Sequence, residues 1–194
     1  MSPVKENGEQ QYRLTVEQYH RMGQLGILTE NDRVELIDGR LVAKVTHNPP
    51  HDAAVSLADH ELSAIIHRDL LIRIQSAVTL ASSEPEPDVV VVKGPARRYA
   101  RRHPGPRDIL LLVEVAQATL LFDRLEKGRE YARARIPIYW IVNLVESQLE
   151  VYSQPRGGLS PKYRRKDISS ANDLVPVVIQ GKEIGRIAVR DLLP

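Results

Sequence analysis

The sequence predicts an α/β (α+β) domain in which helices flank a central β-sheet. Two uninterrupted aliphatic runs, Val89 to Val92 and Ile109 to Val115, are typical of strands that are covered on both faces. Between residues 52 and 68, apolar residues recur at helical spacing and form a stripe that can pack on such a sheet. An Asp38-Gly39 pair between two short apolar runs predicts a β-hairpin with a type I′ turn.

The composition excludes several kinds of protein and site. The 194 residues are 42% hydrophobic, which is enough for one sizeable core. Because the chain has no cysteine, it has no disulfide framework, no thiolate nucleophile and no cysteine zinc site. The net charge is only +2, so attraction to nucleic acid must come from local basic patches. Neither a signal peptide nor an apolar membrane-spanning run is visible, and we expect a soluble, cytoplasmic protein.

The polar N-terminal segment and the helix after it define the start of the fold. Residues 1–11 are polar and charged, and we expect a disordered tail. Residues 12–194 are then expected to form a single domain. Thr15 followed three positions later by Gln18 is a capping box, and it predicts a first helix over residues 15–24.

The middle of the chain alternates strands with polar segments. The hairpin covers residues 33–45 and carries Glu35 on its first strand. Residues 71–80 alternate between apolar and polar side chains, so they predict a half-buried strand whose polar face, including Gln75, lines a cleft. Residues 93–108 form a proline-bounded basic loop, which we call the arginine loop. Its arginines include Arg97, Arg98, Arg101 and Arg102.

The last third of the chain predicts a helix followed by further strands. Residues 119–134 are rich in helix formers and stop before Pro137. A second hairpin is predicted within residues 138–152, and a Pro/Gly/basic loop over residues 154–166. Two more short strands and a helical turn at residues 189–193 end the fold.

Three carboxylates are embedded in strand-forming apolar runs. They are Glu35, Asp88 and Glu114. A buried carboxylate is costly without a partner, and three brought together would repel unless a cation joined them. A hard divalent ion such as Mg²⁺ binds carboxylate oxygens, water and phosphate, so the pattern is typical of a phosphodiesterase site. The alternative is that each acid lies at a strand end or pairs with an arginine.

Five runs of the sequence, in this order, resemble the Uma-two family of restriction-endonuclease-like proteins. The resemblance covers roughly residues 12 to 193. The runs are Leu14 to Tyr19, Glu35 to Gly39, Glu84 to Asp88, Leu112 to Ala116, and Tyr131 to Val142.

The resemblance implies a fold and a metal site. The family belongs to the PD-(D/E)xK nuclease superfamily, whose fold is a mixed central sheet flanked by helices. It implies that Asp88 and Glu114 hold a catalytic Mg²⁺ or Mn²⁺ ion. Glu35 matches an additional acidic position, which would support the site or bind a second metal ion.

The sequence departs from the superfamily pattern at the position of the usual lysine. That lysine lies two residues after the second acid, where this chain has Ala116. Lys127, on the following helix, is the natural substitute, and the resemblance implies a lysine there. On a helix Lys127 shares a face with Asp123 and Tyr131, so its ammonium could reach back to the strand. The alternative is an ordinary solvated lysine.

Three further positions bear on the site. His51 follows Asn48-Pro49-Pro50 and could face phosphate or a metal-bound water, although a capping or surface histidine is the alternative. Gln117 stands where relatives often have an acid or serine, so it could weaken a polar network beside Glu114. Asn143 stands where relatives frequently have aspartate.

These observations predict a metal-dependent endonuclease that hydrolyses DNA phosphodiester bonds. Lys127 would assist the attacking water, and the arginine loop would contact the DNA backbone. The resemblance also implies a homodimer. Two alternatives stay open, a non-catalytic nucleic-acid-binding protein of the same fold and an oligomeric structural protein whose acids form salt bridges between subunits.

Overall fold

The computed structural model describes the backbone of residues 4–6 and 9–194, and the side chains from residue 11 onward. The predicted disordered tail, residues 1–11, therefore lies in part outside the described residues. The described part of it contains two short strands, Val4–Glu6 and Glu9–Gln11, which pair antiparallel.

Helices and strands alternate along the described chain. The α-helices are α1 (Val16–Gln24), α2 (Pro49–Ile65), α3 (Leu120–Phe122) and α4 (Gly128–Arg133). The strands are β1 (Val4–Glu6), β2 (Glu9–Gln11), β3 (Val34–Ile37), β4 (Arg40–Ala43), β5 (Leu70–Ile74), β6 (Val89–Lys93), β7 (Ile109–Ala116), β8 (Ile138–Asn143), β9 (Gln148–Arg156), β10 (Lys162–Ser170), β11 (Leu174–Ile179) and β12 (Lys182–Ala188). Short 3₁₀ turns cover Glu30–Asp32, Ala96–Tyr99 and Val189–Leu192.

A six-stranded mixed sheet forms the centre of the fold. Its strand order is β10-β9-β8-β7-β6-β5, and β7 pairs with β8 in parallel while the other neighbours are antiparallel. The parallel pair needs a crossover, and the helical segment 120–133 supplies it. The predicted α/β architecture with a mixed central sheet flanked by helices is confirmed.

Both faces of the central strands are buried, which explains the uninterrupted aliphatic runs. Val89 and Val91 pack in one apolar layer with α2, β11 and β12. Val90 and Val92 face the opposite layer, where they meet Tyr131 of α4. Because alternate side chains of one strand enter two different apolar layers, every position of the strand favours an apolar residue. A carboxylate in such a strand is therefore an exception that needs partners.

The capping box and the hairpin form as predicted. Thr15 accepts a hydrogen bond from the Gln18 N–H, and the Gln18 side chain accepts one from Thr15. Asp38 and Gly39 have φ angles of 48° and 74°, the left-handed pair that a type I′ turn requires. A side chain at Gly39 would also collide with Arg13, since an added Cβ would lie 2.8 Å from the Arg13 Cβ.

Other predicted boundaries are wrong. The strand expected over residues 71–80 ends at Ile74, because Gln75 adopts a left-handed φ of 43° and the backbone leaves the extended conformation there. The loop expected over residues 154–166 is shorter, since β9 continues to Arg156 and β10 begins at Lys162. The second helix begins at Pro49, where Asn48 caps it. Among the described residues, no helix has the length and apolarity needed to cross a bilayer.

Candidate metal and phosphodiester site

The register of two central strands brings the predicted acids together. Val89 pairs with Val113 and Val90 with Leu112 in the antiparallel β6–β7 ladder. Extending this register by one residue places Asp88 opposite Glu114. Side chains directly opposite in such a ladder have Cβ atoms about 5 Å apart. Neighbouring strands thus place two acids, 26 residues apart in sequence, at one end of the sheet.

Asp88 is a buried carboxylate with two donors. Its Oδ2 accepts a hydrogen bond of 2.8 Å from the Val115 N–H and lies 3.3 Å from Nε2 of His51. Burial by itself would raise the pKa of Asp88, but the hydrogen bond from His51 and the Val115 N–H outweigh it and lower the pKa below its ordinary value. Asp88 is therefore a carboxylate near neutral pH.

Glu114 is buried on the same strand end and receives two hydrogen bonds on one oxygen. Its Oε1 accepts from the Tyr131 hydroxyl at 2.6 Å and from the Lys127 ammonium at 3.1 Å. Burial raises the pKa of Glu114 well above its ordinary value; Asp123 and Asp88 raise it further, while Lys127 opposes them. An additional positive charge near Glu114 would therefore stabilise its ionised form.

A π-helical turn delivers two more charged groups. The residues between α3 and α4, Asp123–Lys127, form this turn, and the Gly128 N–H donates to the Asp123 carbonyl. A Cβ at Gly128 would lie 3.2 Å from that carbonyl oxygen, so glycine permits the close approach. Both ends of the turn, Asp123 and Lys127, are buried. Single π-turns within helices are frequent at functional sites.

Lys127 joins two of the predicted acids. Besides the contact with Glu114, its Nζ lies 3.3 Å from Oε1 of Glu35. Only 8% of Lys127 is exposed, so it is not the solvated helix lysine considered as the alternative. Burial would lower the pKa of Lys127, but Glu114 and Glu35 raise it well above its ordinary value, so the group stays an ammonium.

Glu35 reaches this cluster from the separate β3–β4 hairpin. Its Oε2 accepts a hydrogen bond of 3.1 Å from the Glu86 N–H, in the segment that leads into Asp88. The hairpin is attached to that segment by a bridge between Leu36 and Glu84. The hairpin therefore places one carboxylate within ion-pair distance of Lys127.

The acids line one cavity of about 610 Å³. We call four of its carboxylates the acid cluster: Glu35, Asp88, Glu114 and Asp123. These four face a single buried ammonium, Lys127. Burial raises the pKa of Asp123 to about 6, although Lys127 and a 2.6 Å hydrogen bond from Thr119 oppose the rise. The excess of carboxylates over ammonium groups in this cluster therefore favours a cation in the cavity.

Two histidines also lie at this cavity, and one of them, His47, is not among the residues predicted from the sequence. His47 and His51 stack with ring centroids 4.2 Å apart. One ligand atom from each of His47, His51 and Asp88 falls within 4.8 Å of the others. The only sequence signal for His47 is its spacing of four from His51. This spacing indicates neighbouring side chains only within a helix, and His47 lies before the helix, separated from His51 by Asn48-Pro49-Pro50.

The remaining predicted accessory residues have different positions. Tyr131 contacts Glu114 directly through its hydroxyl. The Gln75 side chain is hydrogen bonded to Nδ1 of His47 at 3.1 Å, so it reaches the cavity through that ring. Gln117 is exposed at the cavity rim and accepts a hydrogen bond of 2.8 Å from Asn48, the residue that caps α2.

The arginine loop lies at the other end of the central strands. It begins at Lys93, the last residue of β6, whereas Asp88 precedes the first. Five strand residues span about 16 Å. Arg98 and Arg102 form ion pairs with Asp108 at 3.0 and 2.7 Å, and Arg97 and Arg101 are exposed.

Comparison with known proteins identifies a family and a fold. Residues 16–185 match the Uma2 family, described as "Putative restriction endonuclease". Among solved structures, the chain is similar to "a putative nuclease belonging to DUF820" from Anabaena variabilis. That likeness has a TM-score of 0.62 at 16% identity, and it covers 92% of this chain and 97% of the other. No curated protein sequence matches the chain.

Proposed function

The chain belongs to the Uma2 family, and from that membership we propose that it is a metal-dependent endonuclease acting on DNA phosphodiester bonds. The observation that carries the proposal is the convergence of the acid cluster and Lys127 in one cavity. Because four carboxylates surround one ammonium, the cavity has excess negative charge, which favours binding of a divalent cation. A bound cation beside Lys127 would in turn attract a negatively charged substrate such as a phosphodiester.

The described side chains fit a divalent metal ion. Asp88 and Glu114 supply carboxylate oxygens from opposing strand positions, and these are the donors that Mg²⁺ and Mn²⁺ prefer. We assign the metal to these two acids. When bound, the ion supplies Lewis-acid stabilisation to phosphoryl oxygens and makes a bound water more acidic.

Lys127 acts in this proposal as a hydrogen-bond donor and not as a base. Its ammonium is held by Glu114 and Glu35, and both raise its pKa. A lysine that stays protonated can orient an attacking water and stabilise charge that develops on phosphate. Glu35 holds this ammonium from the hairpin side and is therefore a positioning residue.

DNA backbone contacts are assigned to the arginine loop. Arg97 and Arg101 are exposed and available to phosphates, whereas Arg98 and Arg102 first hold Asp108 and contribute their remaining donors. A distance of about 16 Å along the strand is compatible with one duplex that reaches both the loop and the cavity. These contacts give affinity without sequence information.

The domain bounds and the assembly are further proposals that rest on the family resemblance. We propose that residues 12–194 form one restriction-endonuclease-like domain, because the hairpin carrying Glu35 and the central sheet carrying Asp88 build one cavity. We also propose a homodimer, which light scattering of the purified protein tests directly.

A non-catalytic nucleic-acid-binding protein is the second candidate function, and Ala116 favours it. The side chain at this position is a methyl group where the superfamily pattern has a lysine. The structural-oligomer alternative has less support, since Glu35 and Glu114 already pair with Lys127 of their own chain.

Plasmid cleavage by matched variants tests the proposal. Supercoiled DNA is incubated with wild type, Asp88→Asn and the exposed control Asp69→Asn, each with EDTA, Mg²⁺ or Mn²⁺. We expect metal-dependent nicking that Asp88→Asn reduces at least about 10-fold and Asp69→Asn leaves unchanged. DNA binding without nicking in any metal would establish the non-catalytic function. Equal nicking by wild type and Asp88→Asn would mean a contaminating nuclease and would refute the assigned site.

A further inference from the structure

Two imidazoles and one carboxylate at the cavity have ligand atoms close enough together to bind one metal ion. His47, His51 and Asp88 each offer an atom within 4.8 Å of the other two. Nε2 of His51 lies 3.3 Å from Oδ2 of Asp88. Two ligands bound at about 2.1 Å to one ion lie roughly 3.0 to 3.5 Å apart, depending on whether its geometry is octahedral or tetrahedral. The observed separation falls in this range.

We propose that His47, His51 and Asp88 bind one first-row transition metal ion, such as Mn²⁺, in preference to Mg²⁺. Imidazole nitrogen suits transition metals, whereas Mg²⁺ takes almost only oxygen ligands. Two histidines in one ligand set therefore select against Mg²⁺. This inference rests on the proposed function in one respect, because both take Asp88 as a metal ligand. It concerns which ion the chain binds and not which substrate the chain cleaves.

Local structure positions both histidines at the Asp88 end of the cavity. Asn48 caps α2 through the His51 N–H at 3.1 Å, and the two prolines that follow restrict the backbone between the rings. Nδ1 of His51 is buried 3.5 Å from an Asp52 oxygen and makes no hydrogen bond within the described part of the chain. This arrangement leaves Nε2 directed at Asp88. Gln75 holds the His47 ring through Nδ1. Metal-binding histidines commonly have a hydrogen-bond partner on the ring nitrogen that is not a ligand, and Gln75 provides one for His47.

Glu114 has a different position in this arrangement. Its Oε1 is engaged by Lys127 and Tyr131, so its second oxygen is the one left to approach an ion. The imidazoles lie on the Asp88 side of the cavity and Lys127 lies on the Glu114 side. The ion at Asp88 would then be reached by this second oxygen of Glu114 as well, while the ammonium would neutralise Glu114 from the opposite side.

Direct metal binding tests the inference without reference to cleavage. The full chain is freed of metal with EDTA and titrated with Mn²⁺, and bound ion is followed by loss of the free-ion electron paramagnetic resonance signal. Mg²⁺ is then added as competitor. The variants are His51→Ala, His47→Ala and the control His60→Ala, which removes an exposed histidine from the same helix. Circular dichroism verifies that each variant folds. Electron spin echo modulation from ¹⁴N reports imidazole on the bound Mn²⁺.

We expect one Mn²⁺ per chain with ¹⁴N modulation, displaced only by a large excess of Mg²⁺. Either site histidine variant should weaken Mn²⁺ binding at least tenfold, while His60→Ala binds as wild type does. Unchanged Mn²⁺ affinity in both site variants, absence of ¹⁴N modulation, or displacement by equimolar Mg²⁺ would each overturn the inference. Tight Mn²⁺ binding without DNA cleavage would support the inference and refute the nuclease. Mg²⁺-dependent cleavage with no Mn²⁺ preference would refute the inference and leave the nuclease standing.

Discussion

The ammonium of Lys127 lies 3.1 Å from Oε1 of Glu114, although the two residues are 13 positions apart and belong to different elements. Ala116 lies two residues after Glu114 and faces the same apolar layer as Tyr131. The side chain of a lysine at position 116 would extend from the strand, whereas the side chain of Lys127 reaches the acid cluster from the π-turn. The helix thus supplies the positive charge that the strand lacks.

Removal of the Lys127 charge should destabilise the protein in a metal-sensitive way. Lys127→Met leaves Glu35 and Glu114 buried without their cation, and breaking such a buried ion pair costs roughly 3 kcal/mol. Urea unfolding in EDTA measures this loss, and Lys182→Met, at an exposed site, is the control. Saturating Mn²⁺ should recover more stability in Lys127→Met than in wild type. Equal unfolding midpoints in EDTA would contradict the ion pair.

Loss of one hydroxyl should weaken the cluster without creating a large cavity. Tyr131 is fully buried, and its hydroxyl donates 2.6 Å to Glu114. Because hydrogen bonds to charged groups contribute roughly 1.5 to 3 kcal/mol, Tyr131→Phe should lose about that much stability. Chemical denaturation measures the loss against Tyr12→Phe, whose ring is exposed. A variant as stable as wild type would show that Glu114 does not need this donor.

A change from amide to carboxylate at Asn143 should be destabilising. Asn143 is buried, and its Nδ2 donates to Glu146 at 2.6 Å and to Glu150 at 3.0 Å. Asn143→Asp replaces this donor by a third acid, so we expect a loss of roughly 2 to 4 kcal/mol at neutral pH. Thermal unfolding of Asn143→Asp and the exposed control Asn172→Asp checks the value. The loss should shrink at acidic pH, and a pH-independent loss would contradict this cause.

Acid should destabilise the protein through Glu150. Burial would raise the pKa of Glu150, but hydrogen bonds from Arg124 and Lys166 lower it from 4.5 to about 2. Since the folded pKa is the lower one, the contribution to stability is complete above pH 4.5 and is lost as the pH falls toward 2.

The size of this acid effect can be isolated by one substitution. Glu150→Gln should be less stable than wild type by on the order of 2 kcal/mol at pH 7, and the difference should close between pH 4.5 and 2. Urea midpoints measured across this range, with Glu30→Gln as the exposed control, test it. A constant difference between wild type and Glu150→Gln would exclude Glu150 as the titrating group.

The exposed arginines of the arginine loop should set the salt dependence of DNA binding. Removing one arginine that pairs with a phosphate should reduce the slope of log affinity against log salt by about 1, so Arg97→Ala with Arg101→Ala should reduce it by about 2. Fluorescence anisotropy with a labelled duplex measures the slope, and Arg190→Ala is the control. If the double variant keeps the wild-type slope, DNA does not contact this loop.

Local patterns predicted much of the fold because they depend on neighbours in sequence. The capping box at Thr15, the Asp38-Gly39 turn and the buried valines of β6 each reflect a local geometric requirement. The end of β5 was missed because the apolar alternation continues past Gln75, while the backbone turns left-handed there. Alternation reports which side chains are buried, and it does not report whether a strand partner is still present.

For the candidate site, too, the sequence predicted some features and only the tertiary structure decided the others. The sequence by itself determined that Asp88 and Glu114 are carboxylates in apolar strands, since burial without compensation is costly and such acids stand out from their surroundings. The family resemblance indicated Lys127, and helical spacing predicted that it shares a face with Tyr131. Only the tertiary structure decided that Asp88 stands opposite Glu114, that Lys127 bridges Glu35 and Glu114, and that His47 joins His51. Strand register and the docking of the hairpin are set by long-range packing, and the π-turn places Lys127 against partners from other elements, so no local pattern records these relationships.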